Sequence, residues 1–595
     1  MKDRIPQDRL ILSRLFVKML PVQVAIVAMG SINSIVDGVV AARFIDAGTV
    51  GVIGLYYTMM RVLEAVGAIL IGGISVLSGK ALGAGEIRKA RGVCTLGLVL
   101  ATVFGGFLTL VSVAAPYTVA NLIGANDALR EALVTYIRGY AIGILPMLWS
   151  QLLAGNLQLE QQEKLGHAGI IVMIVLNVAL DIVFVAVLHL GVWGLALSTA
   201  LANWGYFLVV VQYYFTEKAQ LKPSLKLVAW GDTIPLLRIG FPNALLVFCL
   251  AFRSLVINRV LLSSAGEDGL SALSSFNLVS GLILAVALGA GGLVRMLASV
   301  FLGEENRESL LSMMRIALTQ VMAAMLLISV AVILLAPVLA GVFFPDRNSQ
   351  VFEMSRQLFF IYGFCIPMSY LCILYSNYFQ AAEHRVFVNI VSIMDGFVSM
   401  VIPAVLLAPV MGVMGVWLSF PIGLVITLTV CFLYPVIRLR RVPRSLEEFL
   451  LLPPEFGTGT HLVLTIRLLE EVAQTAQRVQ HFCAENGLSR KLGAHVGLCL
   501  EELAANIVSH GFHGDRKAHA IEIRVIPGAE GTVLRMKDNC VPFNPKEWYE
   551  MSYDQNDLIS NVGIHLVFAL ATEVSYQNLL GLNVVTVRLS DTQGK

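Results

Sequence analysis

Gly191-Val192-Trp193-Gly194-Leu195-Ala196-Leu197-Ser198 returns later in the same chain as Gly412-Val413-Met414-Gly415-Val416-Trp417-Leu418-Ser419. The echo extends outward. Pro146-Met147 recurs as Pro367-Met368, Asn156 as Asn377, Lys164 as Arg385 and Pro21 as Pro242. All share one spacing of about 220 residues, far longer than any solenoid period. Duplication on that scale in apolar sequence points to a membrane transporter architecture of two homologous halves.

Composition agrees. Of 595 residues, 57% are hydrophobic and only 14% charged, with a mean hydropathy of +0.77. A soluble domain carries about 25% charged residues, so the deficit is a membrane signal. The net charge of +2 is too small to argue for a nucleic-acid partner. The 8 cysteines form no C-x-x-C pair and no Cys/His cluster at zinc spacing, and read as small apolar core residues. Met1 to Arg14 is basic and polar, and the apolar run after it is too long for a signal-peptide core.

Apolar runs of membrane-spanning length recur to about Val436. They place spans near 15–42, 50–79, 93–117, 132–155, 167–188 and 192–214, then near 235–262, 270–302, 311–341, 355–379, 387–408 and 412–436. The expected fold class is a mainly α membrane protein, with twelve transmembrane helices in two six-helix lobes, 1–230 and 231–437. An even number of spans returns the chain to its starting side, so the lobes share orientation and form a parallel pseudo-two-fold repeat. Lys and Arg concentrate in one set of connections, among them Arg4, Arg14, Lys80, Arg88, Lys89, Lys222, Arg307, Arg385 and Arg438. The positive-inside rule then puts both ends of the membrane part in the cytoplasm, on the inner membrane of a multi-pass protein.

After Val436 the pattern changes. Residues 438–456 are basic, then acidic, then Pro-containing, and read as a juxtamembrane linker. Residues 457–595 read as soluble α/β. Strands are expected at His461–Arg467, Ala520–Ile526, Thr532–Met536 and Gly581–Leu589, with helices over Leu468–Glu485 and Leu488–His510.

Several polar residues fall at membrane depth. Asp37 follows Asn33 by one turn in the first span, and Asn177 with Asp181 repeats that i, i+4 arrangement in the fifth. A charge there costs several kcal/mol unless paired, hydrated or protonated. Such acids can load and release a proton, or bind Na+, as a cavity opens to alternate sides; the blander reading is that they cap helix ends. Asp395 is a further candidate in the eleventh span. Arg61 and Glu64 are spaced to pair with each other. Arg253, Arg259 and Arg295 would favour anionic substrates if they line a cavity, or else snorkel or balance buried acids.

These residues carry a resemblance. Pro21, Asn33 and Asp37 resemble the first helix of the multidrug and toxic compound extrusion (MATE) family. Gly83-Ala84-Gly85-Glu86 with Lys89-Ala90 resembles its loop after helix two, and Asn177-x-x-Leu180-Asp181 leading to Gly191-Val192-Trp193-Gly194 and Ser198-Thr199 resembles helices five and six. The resemblance covers about residues 10–436. It implies a two-lobed exporter of small organic compounds or drugs, driven by H+ or Na+ as coupling ion. Asp37, Asn177 and Asp181 match the cation and substrate positions of the branch that uses the N-terminal lobe. Fold-mates of the family flip lipid-linked glycans, which leaves lipid-like cargo open.

In the C-terminal part, Glu502, Asn506 and His510 lie at i, i+4, i+8 on one helix face. A carboxylate beside a carboxamide suits a water and a Mg2+ next to a phosphate. Asp538-Asn539-Cys540-Val541-Pro542-Phe543-Asn544-Pro545 follows a strand, and Gly563-Ile564-His565-Leu566 opens a helix where backbone amides can meet phosphate. The order resembles the GHKL ATPases, most closely the anti-sigma serine kinases, over about residues 460–590. That likeness implies an α/β sandwich of the Bergerat type that binds ATP and Mg2+. Asn506 would hold the metal, Glu502 act as catalytic base, Asp538 read the adenine amine, Gly563 face phosphate, and 546–562 form the lid. Cys540 and His565 stand where the family has glycine, and a side chain there can block a nucleotide. Gly79-Lys80 is followed by Ala81 and lacks the leading glycine of a P-loop, which argues against a P-loop pump. The expected function is a cation-coupled antiporter regulated by a nucleotide-binding domain. The alternatives are a membrane sensor acting through a serine kinase domain on an anti-anti-sigma-like protein, and a lipid flippase.

Overall fold

The computed structural model describes residues 47–590 apart from 124–126, 161, 218, 458–460, 513–518, 529–530, 555–561 and 580–581, with a few residues between 16 and 28. Asn33 and Asp37 lie outside the described residues, as does most of the expected first span. The chain divides into two compact units, one reaching Leu452 and one beginning at Pro453.

The membrane unit is helical because its apolar runs leave the backbone no water to bond with, so each span must satisfy its own N–H and C=O groups. Ten stretches among the described residues are long and apolar enough to cross a bilayer. Those used below are α1 (Ala47–Gly83), α2 (Glu163–Asp181), α3 (Gly191–Val211), α4 (Thr233–Gly303) and α5 (Gln350–Ala381). Two expected spans, 235–262 and 270–302, form one continuous stretch, α4, broken only at Gly266 (φ 62°, ψ −151°), a conformation open to glycine. The sequence offers no polar loop there, so the chain turns within helical hydrogen bonding. Short π-helical segments follow Asp181 (Ile182–Val187) and span Asp395 (Met394–Val398). Such wide turns concentrate at functional sites.

α1 of the first lobe packs closely on α4 of the second. A Cβ on Gly240 would collide with the main-chain carbonyl oxygen of Ile69 and lie 2.8 Å from its Cα. Polar bonds cross the same seam. Arg295 donates across it to Ser75 Oγ (3.1 Å) and within its own lobe to Asn377 Oδ1 (3.1 Å) and Gln380 Oε1 (3.2 Å), and Lys80 pairs across it with Glu383 at 2.6 Å. The expected linker is partly anchored. Its short helix Leu446–Phe449 is capped by Ser445, Glu447 pairs with Arg307, and Tyr378 Oη donates to the Leu450 carbonyl at 3.0 Å.

The second unit is a five-stranded antiparallel sheet in the order β1-β2-β3-β5-β4. The strands are β1 (Leu462–Ile466), β2 (Ile521–Gly528), β3 (Gly531–Asp538), β4 (Glu573–Leu579) and β5 (Leu582–Leu589). The helices are α6 (Glu471–Glu485), α7 (Arg490–Gly511), α8 (Pro545–Asp554) and α9 (Val562–Leu570). Val472, Val479, Val496, Leu500 and Leu503 pack on the sheet face formed by Ile521, Ile523, Leu534 and Met536. Burial alternates strictly along β3, so Asp538 ends the inward row that begins with Thr532, Leu534 and Met536.

Candidate functional site

In the first lobe, α2 carries Asn177 and Asp181 one turn apart, and α3 lays Ser198 and Thr199 against them. All four are buried. Asn177 Nδ2 donates to Thr199 Oγ1 at 3.3 Å, and Ser198 Oγ hydrogen-bonds Asp181 Oδ1. Ser198 Oγ also lies 2.8 Å from the Leu195 carbonyl. A hydroxyl has one hydrogen and two lone pairs. It can donate to an ionised Asp181, or turn to Leu195 and accept from a protonated one. The site therefore holds both charge states without moving a helix. Asp181 Oδ2 and Asn177 Oδ1 are buried with no hydrogen-bond partner among the described residues. Two orphaned acceptors in a dry site suit a proton or a small cation. Nearby, Asn203 Nδ2 donates to Tyr140 Oη at 3.2 Å.

Of the other membrane candidates, Arg61 and Glu64 do pair, at 2.9 Å on an exposed surface. Arg259 is exposed. Arg295 joins the two lobes. Arg253 and Asp395 line one cavity of about 270 Å³ in the second lobe.

In the second unit, Asn506, His510 and Asp538 line a cavity of about 380 Å³ together with Ile507, Cys540 and Trp548. Asp538 Oδ1 accepts from the Cys540 N–H (2.9 Å) and from Asn583 Nδ2 (2.8 Å). Burial pushes the Asp538 carboxyl up, and the Asn583 and Cys540 hydrogen bonds offset part of that. Asn583 sits opposite Asp538 in the β3–β5 register and accepts from Tyr576 Oη at 2.8 Å. Glu502 lies outside the cavity lining but against α9, where a Cβ on Gly563 would overlap its Oε2. No cluster of three His, Cys, Asp or Glu residues fit for a metal occurs among the described residues. Asn506 lies on the cavity wall and would be the neutral oxygen ligand of a phosphate-bound Mg2+.

Of the two side chains that replace glycine, Cys540 lines the cavity and His565 does not. Cys540 turns its Sγ toward Gly511, whose own Cβ would sit 2.9 Å from Cys540 Cβ, and lies 3.7 Å from His519 Nδ1. His565 packs on the Tyr549 ring at 4.8 Å between centroids and is not among the lining residues. The expected lid, 546–562, is described only for 546–554 and 562; most of α8 falls there. Sequence reasoning missed the partners Ser198, Thr199 and Asn583 as site residues. For Asn583 a signal existed: a polar residue in the buried run of a strand.

The MatE family model matches residues 24–183 and 242–406, and the histidine kinase-like ATPase domain model matches 467–589. The multidrug export protein MepA of Staphylococcus saprophyticus is 23% identical over 378 residues, 62% of this chain and 82% of that one. MepA of a bovine Staphylococcus aureus strain is 21% identical over the same shares. A crystal structure of a MATE transporter in complex with MaL6 superposes with a TM-score of 0.67 at 20% identity, covering 73% of this chain and 99% of that one. A MOP-superfamily transporter from Pyrococcus furiosus, described as having a binding pocket of reversed polarity, gives 0.66 at 20% identity over 74% and 99%. The chain belongs to the MatE family, that of the multidrug and toxic compound extrusion transporters, and joins to it a histidine kinase-like ATPase domain.

Proposed function

We propose that the protein exports small organic compounds across the membrane in exchange for H+ or Na+, with Asp181, Asn177 and Asp37 as the coupling site. The observation that carries this reading is the buried Asp181–Ser198 contact beside two unpartnered acceptors. A permanently charged acid would be a poor resident there, and an acid that alternates between states is accommodated by the Ser198 hydroxyl. The repeat sharpens the point. In the second half, Val398, Ile402, Phe420 and Leu424 stand at the positions of Asn177, Asp181, Thr199 and Asn203, and only Ser419 echoes Ser198. An acid, amide and hydroxyl at these positions thus occur in the first half and not at the matching positions of the second. Arg295 and the Lys80–Glu383 pair close the seam at the end that the positive-inside rule assigns to the cytoplasm. The test is ethidium efflux from cells: a gradient-dependent rate in the wild type, abolished by Asp181→Asn and by an ionophore. Undiminished efflux in Asp181→Asn would refute it.

The C-terminal domain, on this reading, binds ATP–Mg2+ in the Asn506–Asp538 cavity and adjusts transport, with Glu502 beside the Gly563 turn as the base if phosphate is transferred. Nucleotide-dependent change of the efflux rate in vesicles containing the full chain tests the regulatory role. Transfer of phosphate to a separate protein, with efflux unaltered, would favour the kinase alternative.

A further inference from the structure

The second-lobe cavity holds two opposite charges that attract each other but form no salt bridge. The Arg253 guanidinium donates to the main-chain carbonyl of Asp395 at 3.1 Å, not to its carboxylate. That is its one hydrogen bond among the described residues, and a guanidinium carries five N–H donors. Both side chains line the cavity, beside the aromatic walls Phe276 and Phe420 and the polar groups Tyr362 and Thr427. At the repeat-equivalent positions of Arg253 and Asp395 the first half has Ile32 and Ile174. The charges are therefore not part of the shared scaffold. Asp395 also lies in a π-helical turn, whereas its counterpart lies within the regular helix α2. Gly396 lets that turn press against Cys249: a Cβ there would sit 2.5 Å from Cys249 Cβ. The wide turn places the Asp395 carbonyl against Arg253 and leaves the carboxylate to the cavity.

Two unlike charges at membrane depth, with no hydrogen bond between the charged groups themselves, suit a ligand that brings both. We propose that this cavity is the cargo site and that it takes a zwitterionic amphiphile. Its carboxylate meets Arg253, its ammonium meets Asp395, and its apolar body lies against Phe276 and Phe420. The proposal names the cargo class within the export reading above, yet its test needs no ion gradient.

The test is equilibrium binding to the purified full chain, followed by fluorescence anisotropy, with three probes sharing one dansyl group. Nε-dansyl-lysine carries both charges, dansylcadaverine only the ammonium, and 6-(dansylamino)hexanoate only the carboxylate. The zwitterion is expected to bind most tightly. A hydrogen bond to a charged group supports a loss of about 10- to 100-fold for Nε-dansyl-lysine on Arg253→Gln, with little change for dansylcadaverine. Asp395→Asn should lower Nε-dansyl-lysine to the level of the carboxylate-only probe. Arg253→Lys should recover part of the loss, and its elution profile shows that the fold is kept. If either singly charged probe binds as tightly as the zwitterion, or if both Gln and Asn substitutions leave Nε-dansyl-lysine within twofold, the proposal is wrong. Failure of gradient-driven efflux alongside charge-selective binding would overturn the export reading and leave this site standing.

Discussion

Gly240→Ala is the sharpest perturbation of the contact between lobes. The new Cβ would overlap the Ile69 carbonyl oxygen and sit 2.6 Å from the carbonyl carbon, both backbone atoms of α1. A side chain could swing away; a helix backbone cannot, so α1 and α4 must part. Overpacking of this kind costs about 1–3 kcal/mol. On the proposed export reading the contact belongs to the state closed at this end, so that cost falls on the closed state and shifts the equilibrium about 5- to 150-fold toward opening. A thiol at Ser299, which is buried in the same seam and bonds the Ser75 carbonyl at 3.0 Å, reads the opening. Maleimide labelling of Ser299→Cys should be slow, and faster by that factor when Gly240→Ala is added. The control has the opposite sign. Gly106 has nothing within 4 Å of its Cβ position, so Gly106→Ala should leave labelling unchanged and gain up to about 1 kcal/mol of helix propensity. Equal labelling rates with and without Gly240→Ala would refute the close approach of α1 and α4.

Three further outcomes follow from the same geometry. The Lys80–Glu383 pair is part-exposed, so a double-mutant cycle on the closed state should give a coupling of about 0.2–1 kcal/mol, weakening with salt; a value near zero in low salt would remove it from the seam. Burial raises the Asp538 carboxyl above 3.8, so the folded domain holds its proton more tightly than the unfolded chain. That contribution is fully present below pH 3.8 and is lost as pH rises through the folded value, which leaves the ionised carboxylate a net cost at pH 7.5. Asp538→Asn should therefore keep or raise the calorimetric stability at pH 7.5, with the gain shrinking toward pH 4, while ATP binding falls at least about tenfold; a stability loss at pH 7.5 contradicts the burial argument. Gly563→Ala places a methyl where Glu502 Oε2 sits, so the carboxylate must swing aside; nucleotide binding should weaken through that displacement, as read by isothermal titration on the full chain, and unchanged binding would take Glu502 out of the site.

The halves were legible because membrane helices follow from local composition. Long apolar runs, and a motif returning at one spacing, fix spans without knowledge of neighbours. The break at Gly266 was not legible, since one glycine among apolar residues signals no loop, and α4 turns there without leaving helical bonding. Strand β4 escaped because Glu573 to Leu579 is half polar and becomes a strand by pairing with β5. For the sites, spacing along one helix carried Asn177 with Asp181, and Glu502 with Asn506. Partners from another element did not show: Ser198 reaches Asp181 from α3, and Asn583 reaches Asp538 across a strand pair. How far Cys540 intrudes was not legible for the same reason. Whether a side chain obstructs depends on Gly511, far off in sequence, which leaves the room that Cys540 fills.

The divergence of the two halves constrains how coupling can work. A duplicated scaffold with acids retained at matched positions would let cation and cargo compete for equivalent sites. Here the acid, amide and hydroxyl group at Asn177, Asp181 and Thr199 has Val398, Ile402 and Phe420 as its counterpart, and the Arg253–Asp395 pair has Ile32 and Ile174. On the proposed assignment the driving ion sits in one lobe and the cargo in the other, so direct displacement of one by the other has no shared site. Each ligand can then influence the other only through its preference for one arrangement of the lobes, and the influence must be equal in both directions. The contacts through which such a preference can act are those across the seam, Arg295 with Ser75 and Lys80 with Glu383. Weakening that seam should therefore loosen the dependence of cargo affinity on the cation while leaving each intrinsic affinity in place, a signature that competition at one site would not produce.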